Sequence, residues 1–295
     1  LAAWLGIPVL LVIDARGQGA SVAALAEGFS NHRTDVPVAA VVFNYVASVH
    51  HEEILRRAMA PTGIPVLGAL PRNQSLALPE RHLGLVQAGE EKNLVHFLDA
   101  AANVTADHID EVMLCALGKP LQALSEAPAT YPLEPLGNHI AVARDKAFAF
   151  SYETVCSGWH SAGAALSFFS PLADEAPTDE ADAVFLPGGY PELYAGRLAA
   201  NRRFLAGLCR AAKGDAWLYG ECGGYMVLGE GLTDAAGRRH AMAGLLPLET
   251  SFAAASLHLG YREAEMLGDA PFAANGARFR GHEFHYARVT REQGA

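Results

Sequence analysis

Two α/β domains built on parallel sheets are the fold that this 295-residue sequence predicts. Three observations carry the expectation. Short runs that are apolar throughout alternate with helical stretches in both halves, as strands do when helices cover both faces of their sheet. Pro120, Pro128, Pro132 and Pro135 break any regular element between Leu117 and Gly137, which marks a linker and places the domains at 1–125 and 138–295. The length itself suits two domains of about 150 residues each.

In the first half, strands are expected at Pro8–Asp14, Val38–Asn44 and Pro65–Leu70, with helices at Ser21–Phe29, His51–Met59 and Glu90–Ala102. Ligands of parallel sheets sit beyond the carboxyl ends of the strands. Asp14, Asn44 and the Pro71-Arg72-Asn73 turn fall at such ends. The plainer alternative is that Asp14 and Asn44 only bond loop backbone. In the second half, Ile140–Arg144, Ala165–Phe169, Ala183–Leu186 and Ala216–Tyr219 read as strands, Asn201–Ala212 as a helix, and Ala277–Ala287 as a late extended run.

The segment from Trp217 to Tyr225 is the most informative for function. An apolar strand runs into Gly220-Glu221-Cys222-Gly223-Gly224, and a helix-compatible stretch follows. This is the pattern of a nucleophile elbow with sulfur in place of oxygen. Its tight turn strains the nucleophile's backbone, and glycine neighbours let the chain close up. The positive end of the following helix favours thiolate. A buried structural cysteine beside a turn is the competing reading.

Composition narrows the partners. A net charge of −10 with no lysine or arginine run argues against nucleic acid and anionic membrane surfaces. The longest apolar runs, such as Ile7 to Ile13, are too short to span a bilayer. Cys115, Cys156, Cys209 and Cys222 show no ligand spacing, so neither a disulfide framework nor a metal site is expected. Reduced thiols and the absence of an export signal point to the cytoplasm.

A cysteine nucleophile needs a base. Among twelve histidines, His285 stands out in the extended run Arg280-Gly281-His282-Glu283-Phe284-His285-Tyr286. Period-two alternation puts Glu283 and His285 on one side and His282 and Phe284 on the other. Only one of the two histidines can therefore easily face the elbow; His285 is the first choice and His282 the alternative. The strand end Leu186-Pro187-Gly188-Gly189-Tyr190-Pro191-Glu192 exposes backbone N–H groups. With the amide of Gly223, Gly189 could form an oxyanion hole.

These segments carry a resemblance. The second half resembles the class I (triad-type) glutamine amidotransferase domain, a flavodoxin-like α/β fold, in the form found in cobyrinic and cobyric acid synthases. The matching residues are Ala141–Phe148, Phe168–Leu172, Leu186–Glu192, Glu221–Tyr225 and Gly281–Tyr286. Arg144–Phe148, Gly-Gly-Tyr-Pro-Glu, Gly-His-Glu-Phe-His-Tyr and Pro79–Leu85 look more like the a,c-diamide synthases of cobyrinic or hydrogenobyrinic acid. The resemblance implies that Cys222 attacks glutamine, His285 moves the proton and Gly189 and Gly223 hold the oxyanion. Glu283 is left as an orienting group for His285, since the usual third acid of the triad is absent from such enzymes.

The first half is similar to the synthetase domain, a P-loop fold like dethiobiotin synthetase. In that family ATP and Mg2+ activate carboxylates of a corrinoid polycarboxylate, and ammonia from glutamine forms the amide in cobalamin biosynthesis. No Gly-x-x-x-x-Gly-Lys-Ser/Thr occurs here. The start at Leu1 without methionine therefore predicts a piece that begins after the P-loop, with the ATP and Mg2+ site mostly upstream. Asn44, Arg72, Arg81 and His82 are the candidates for remaining nucleotide or substrate contacts. The resemblance leaves a homodimer open. The alternatives are an amidoligase acting on another tetrapyrrole such as nickel-sirohydrochlorin, a glutaminase with a degenerate partner domain, and a P-loop partition-type ATPase relative. The last has no use for a thiol elbow.

Overall fold

In a computed structural model, residues 2–78, 80–81, 84–90, 93–118 and 133–293 are described. The chain divides into two compact units, Leu1–Ala127 and Pro128–Ala295.

In the first unit, β1 (Val9–Asp14), β2 (Val38–Val46) and β3 (Val66–Pro71) form a parallel sheet in that order. Each crossover is a helix, α1 (Ser21–His32) and α2 (Val49–Met59). Alternation along β2 explains why both faces are covered. Val41 and Phe43 pack with Val22, Ala26, Leu55 and Met59 from the helices, while Ala40 and Val42 meet Leu67, Ile109 and Leu117 on the other side. Ser48 caps α2 by accepting from the His51 N–H at 3.1 Å. The third helix, α3 (Leu94–His108), starts later than composition suggests and runs to His108, where α4 (Glu111–Leu117) follows after an Asp110 cap. The alanine-rich middle favours helix all along, so composition could not place its end.

In the second unit, β4 (His139–Ala143), α5 (Glu153–Ser161), β5 (Ala165–Phe169), β6 (Ala183–Leu186), α6 (Arg202–Lys213) and β7 (Trp217–Gly220) build a parallel sheet of order β5-β4-β6-β7. The strand β6 is buried along its whole length. On one face Val184, Leu186, Leu198, Phe204 and Leu208 form the main core; on the other, Trp159 and Phe185 meet edge to face at 5.4 Å. After the elbow, α7 (Gly223–Leu228) leads into β8 (Gly231–Thr233), β9 (Arg239–Ala241) and β10 (Leu248–Ser251). A hairpin of β11 (His258–Glu265) and β12 (Arg278–His285) follows, then β13 (Arg288–Glu292), which pairs with β10. The expected late extended run, Ala277–Ala287, is the strand β12 with one or two residues at each end. Among the described residues no helix is long and apolar enough to cross a membrane.

Candidate active site

The elbow forms where β7 meets α7. Cys222 has φ +48° and ψ −108°, a strained backbone for a residue with a Cβ, and it caps the helix. Glycine neighbours are required by space. A Cβ on Gly224 would lie 1.9 Å from the Leu186 carbonyl oxygen, and one on Gly220 would lie 2.8 Å from the Gly224 carbonyl carbon. The Glu221 N–H donates to the Leu186 carbonyl at 3.0 Å, which fastens the turn to the end of β6.

The same strand end delivers Gly188 and Gly189 beside the cysteine. A Cβ on Gly188 would stand 3.3 Å from the Cys222 Cβ, and one on Gly223 would stand 3.3 Å from the Gly189 nitrogen. The Gly223 and Gly189 amides lie close enough to draw the Cys222 pKa down, Gly223 the more strongly. The two segments singled out separately in the sequence thus lie side by side at Cys222.

The thiol's electrostatics oppose those amides. Crowding by protein atoms pushes the Cys222 pKa up, the two N–H groups pull it down, and the Glu192 and Glu221 carboxylates add to the rise. The net shift is upward, although the side chain keeps a path to solvent. Amide donors at the end of a six-residue helix are not enough to make the resting sulfur a thiolate. Beside it, burial raises the pKa of Glu221, which accepts a hydrogen bond from Tyr219.

His285 ends β12. Glu283 and His285 share one side of the strand, as alternation requires, and His285 Nε2 lies 2.9 Å from Glu283 Oε1. His285 Nδ1 lies 3.0 Å from the Ala287 carbonyl oxygen. Its hydrogen bond holds the Glu283 carboxyl below the usual range, against some burial, with the charge of Arg262 helping. His282 is exposed on the opposite side, against Tyr261 and Phe284. No hydrogen bond joins His285 or His282 to Cys222 among the described residues. The thiol and the imidazole are two halves that this conformation does not bring into contact.

Residues that sequence reasoning gave no role brace the Gly188-Gly189 loop. The Asp145 carboxylate accepts from the Ala147 N–H at 2.8 Å, Ser170 Oγ at 2.9 Å and the Leu172 N–H at 2.8 Å. From that fixed loop the Ala147 carbonyl accepts from the Tyr190 N–H at 3.0 Å, and the Phe150 N–H donates to the Gly188 carbonyl at 3.0 Å. Asp145 and Ser170 both lie in the segments that carry the family resemblance, a signal that named them without giving a reason. Asp145→Ala should destabilise the unit by about 1–3 kcal/mol, because two backbone donors lose their acceptor. It should also lower turnover of glutamine more than its KM, which steady-state kinetics would reveal.

The first-half candidates behave differently. Asn44 and Arg72 lie near the carboxyl ends of β2 and β3. Asn44 Oδ1 accepts from the Tyr45 N–H at 2.9 Å, and Asp14 Oδ1 accepts from the Arg16 N–H at 2.9 Å. Both side chains do what the plainer reading expects of loop residues. Arg72 is exposed. Arg81 lies in a two-residue ladder with Gly84, and its side chain, like His82 as a whole, lies outside the described residues.

Comparison with known proteins adds the family. A model of the CobB/CobQ-like glutamine amidotransferase domain matches residues 139–295. The chain is 54% identical over 295 residues to a hydrogenobyrinate a,c-diamide synthase of Brucella anthropi, covering 99% of this chain and 66% of that protein. Proteins of the same name from Rhizobium meliloti and Rhodobacter capsulatus are 52% and 50% identical, each over 100% of this chain and 67% of their own length. The chain thus spans about two thirds of the curated relatives it matches. Matched along its whole length, with a Gly-Cys elbow in the matched domain, the chain belongs to the hydrogenobyrinate a,c-diamide synthase family and carries a CobB/CobQ-like glutamine amidotransferase domain.

Proposed function

We propose that this chain hydrolyses glutamine at Cys222 and that the ammonia amidates the a- and c-carboxylates of hydrogenobyrinic or cobyrinic acid. The observation that carries the reading is the strained Cys222 elbow with the Gly189 and Gly223 backbone beside it. Donors placed there stabilise charge on an oxygen next to the attacking atom.

In this reading the His285 imidazole takes the thiol proton and the sulfur adds to the amide carbon of glutamine. The carbonyl oxygen becomes an oxyanion held by the two N–H groups. Collapse breaks the C–N bond, and His285 returns the proton to the leaving nitrogen, which departs as ammonia. Water then adds to the thioester, the C–S bond breaks, and glutamate and the thiol are restored. The reading requires His285 and the Cys222 thiol, which share no hydrogen bond among the described residues, to come within proton-transfer distance during the cycle. Glu283 orients the ring through its 2.9 Å bond.

The names of the relatives support the corrinoid substrate, and the amide they form calls for an activated carboxylate. ATP with Mg2+ is the expected activator. The first-unit residues do not supply its phosphate site: the sequence has no P-loop, and Asp14 is committed to an ion pair with Arg16 at 2.5 Å.

The test is covalent. A glutamine analogue with an electrophile at the amide carbon should label Cys222 and spare Cys115, Cys156 and Cys209, with glutamine protecting. Because the thiol's pKa is raised, the labelling rate should climb with pH beyond the usual thiol range rather than level off near neutrality. Labelling at another cysteine, or a rate flat from neutral pH upward, contradicts the assignment.

A further inference from the structure

The face of the β11–β12 hairpin that bears His285 also carries His258. The two stand opposite in register, with rings stacked 4.8 Å apart at 15°. Ligating atoms of His258, Glu283 and His285 all lie within 4.8 Å of one another, and all three residues are half-buried.

The hydrogen bonds of His285 pose a problem that a cation solves. Both ring nitrogens face acceptors, the Ala287 carbonyl at 3.0 Å and the Glu283 carboxylate at 2.9 Å. A neutral imidazole has one N–H, so one of those contacts sets lone pair against lone pair. A second proton on the ring would relieve this but makes no use of His258. A metal ion uses all three side chains. With Nδ1–H donating to the Ala287 carbonyl, Nε2 is left as a ligand, and that backbone bond is the support metal-bound histidines commonly have. Glu283 can serve without losing its other partner, since Arg262 holds Oε2 and Oε1 faces His285.

We propose that His258, Glu283 and His285 form a binding site for one divalent first-row transition ion, and that filling it stops glutamine hydrolysis. Two imidazoles and one carboxylate suit zinc, cobalt, nickel or copper rather than magnesium or calcium. Tetrahedral ligands about 2.1 Å from zinc stand about 3.4 Å apart. Small side-chain rotations close the set from its present spread. The second half of the proposal rests on His285 being the base of Cys222. A metal on Nε2 fixes the proton on Nδ1 and removes the tautomer in which Nε2–H faces Glu283 and Nδ1 is free to take the thiol proton.

The whole chain would be titrated with Zn2+ against a chromophoric chelator, and with Co2+ as a spectroscopic probe. One ion per chain is expected, with visible Co2+ bands, no thiolate charge-transfer band, and the same spectrum in Cys222→Ala. His258→Gln and Glu283→Gln, each checked for fold by near-UV circular dichroism, should each bind at least tenfold more weakly. Unchanged affinity in either variant, or a thiolate band, overturns the site. One equivalent of Zn2+ should slow glutamine hydrolysis at least tenfold in the native chain but not in His258→Gln. Stoichiometric binding without inhibition overturns the switch and leaves the site standing. A metal-free chain that never hydrolyses glutamine sinks the amidotransferase reading instead, while the titration still decides the site.

Discussion

Cys222→Ala should cut glutamine hydrolysis by at least about 10³-fold, because losing a covalent nucleophile removes the step on which the others depend. The fold should survive. The elbow's strain comes from a Cβ at φ +48°, and alanine has the same Cβ. Amide formation supplied with ammonium salt should persist wherever the native protein carries it out, since in the proposed reaction the thiol serves only to release ammonia. Glutamate release from the variant at more than about a hundredth of the native rate would mean that another group is the nucleophile. Loss of the ammonia-driven reaction would mean that Cys222 serves the synthetase chemistry itself.

Gly224→Ala should be the most damaging conservative change in the second unit, costing about 3 kcal/mol or more. The new methyl would lie 1.9 Å from the Leu186 carbonyl oxygen and 2.6 Å from its carbon. Both are backbone atoms of a buried strand and cannot rotate away, so α7 must part from β6. That movement also pulls the Gly223 N–H off the sulfur, and activity should fall with stability. Urea unfolding followed through the second unit measures the first effect. Gly281→Ala is the control: a Cβ there meets nothing within 4 Å, so its shift should stay within about 0.5 kcal/mol. Equal effects at the two sites would refute the steric account of the elbow.

Much of the fold was legible because parallel strands buried on both faces leave long apolar runs. Val38–Val46 and Ala183–Leu186 could hardly be read otherwise. The hairpin partner β11 was missed for the complementary reason. His258–Glu265 alternates histidine, leucine, glycine, tyrosine and charged residues, and most of it is exposed. A strand held by one neighbour needs little apolar surface and leaves little signal. The helical stretches β-edge signals do not reach, such as α5 with its glycine and serine, were passed over too.

The site divides along similar lines. Gly220, Cys222 and Gly224 are readable because a tight turn with a strained residue imposes residue types on a few adjacent positions, and local sterics are written in local sequence. Gly189 could be suspected from its strand end, but only the parallel pairing of β6 with β7 sets its N–H beside Cys222, thirty-odd residues away in sequence. Sequence supplied one contribution to the thiol's pKa and not the net direction. A helix N-terminus favours thiolate, yet crowding and the Glu192 and Glu221 carboxylates outweigh it, and desolvation exists only once the chain has packed. The contacts of Asp145 and His258 were not readable either, since each meets groups brought to it across the sheet or the hairpin.

Sequence by itself therefore determined the α/β class, the cysteine elbow, the shared side of Glu283 and His285, and the family. The first three rest on periodicity or on backbone geometry within a few residues, and the family on the resemblance of its segments to known sequences. Tertiary structure alone decided which amides meet the sulfur, how its acidity moves, and that His285 bonds to Glu283 and Ala287 rather than to Cys222. Those are matters of distance and dielectric between distant segments, which no local pattern encodes.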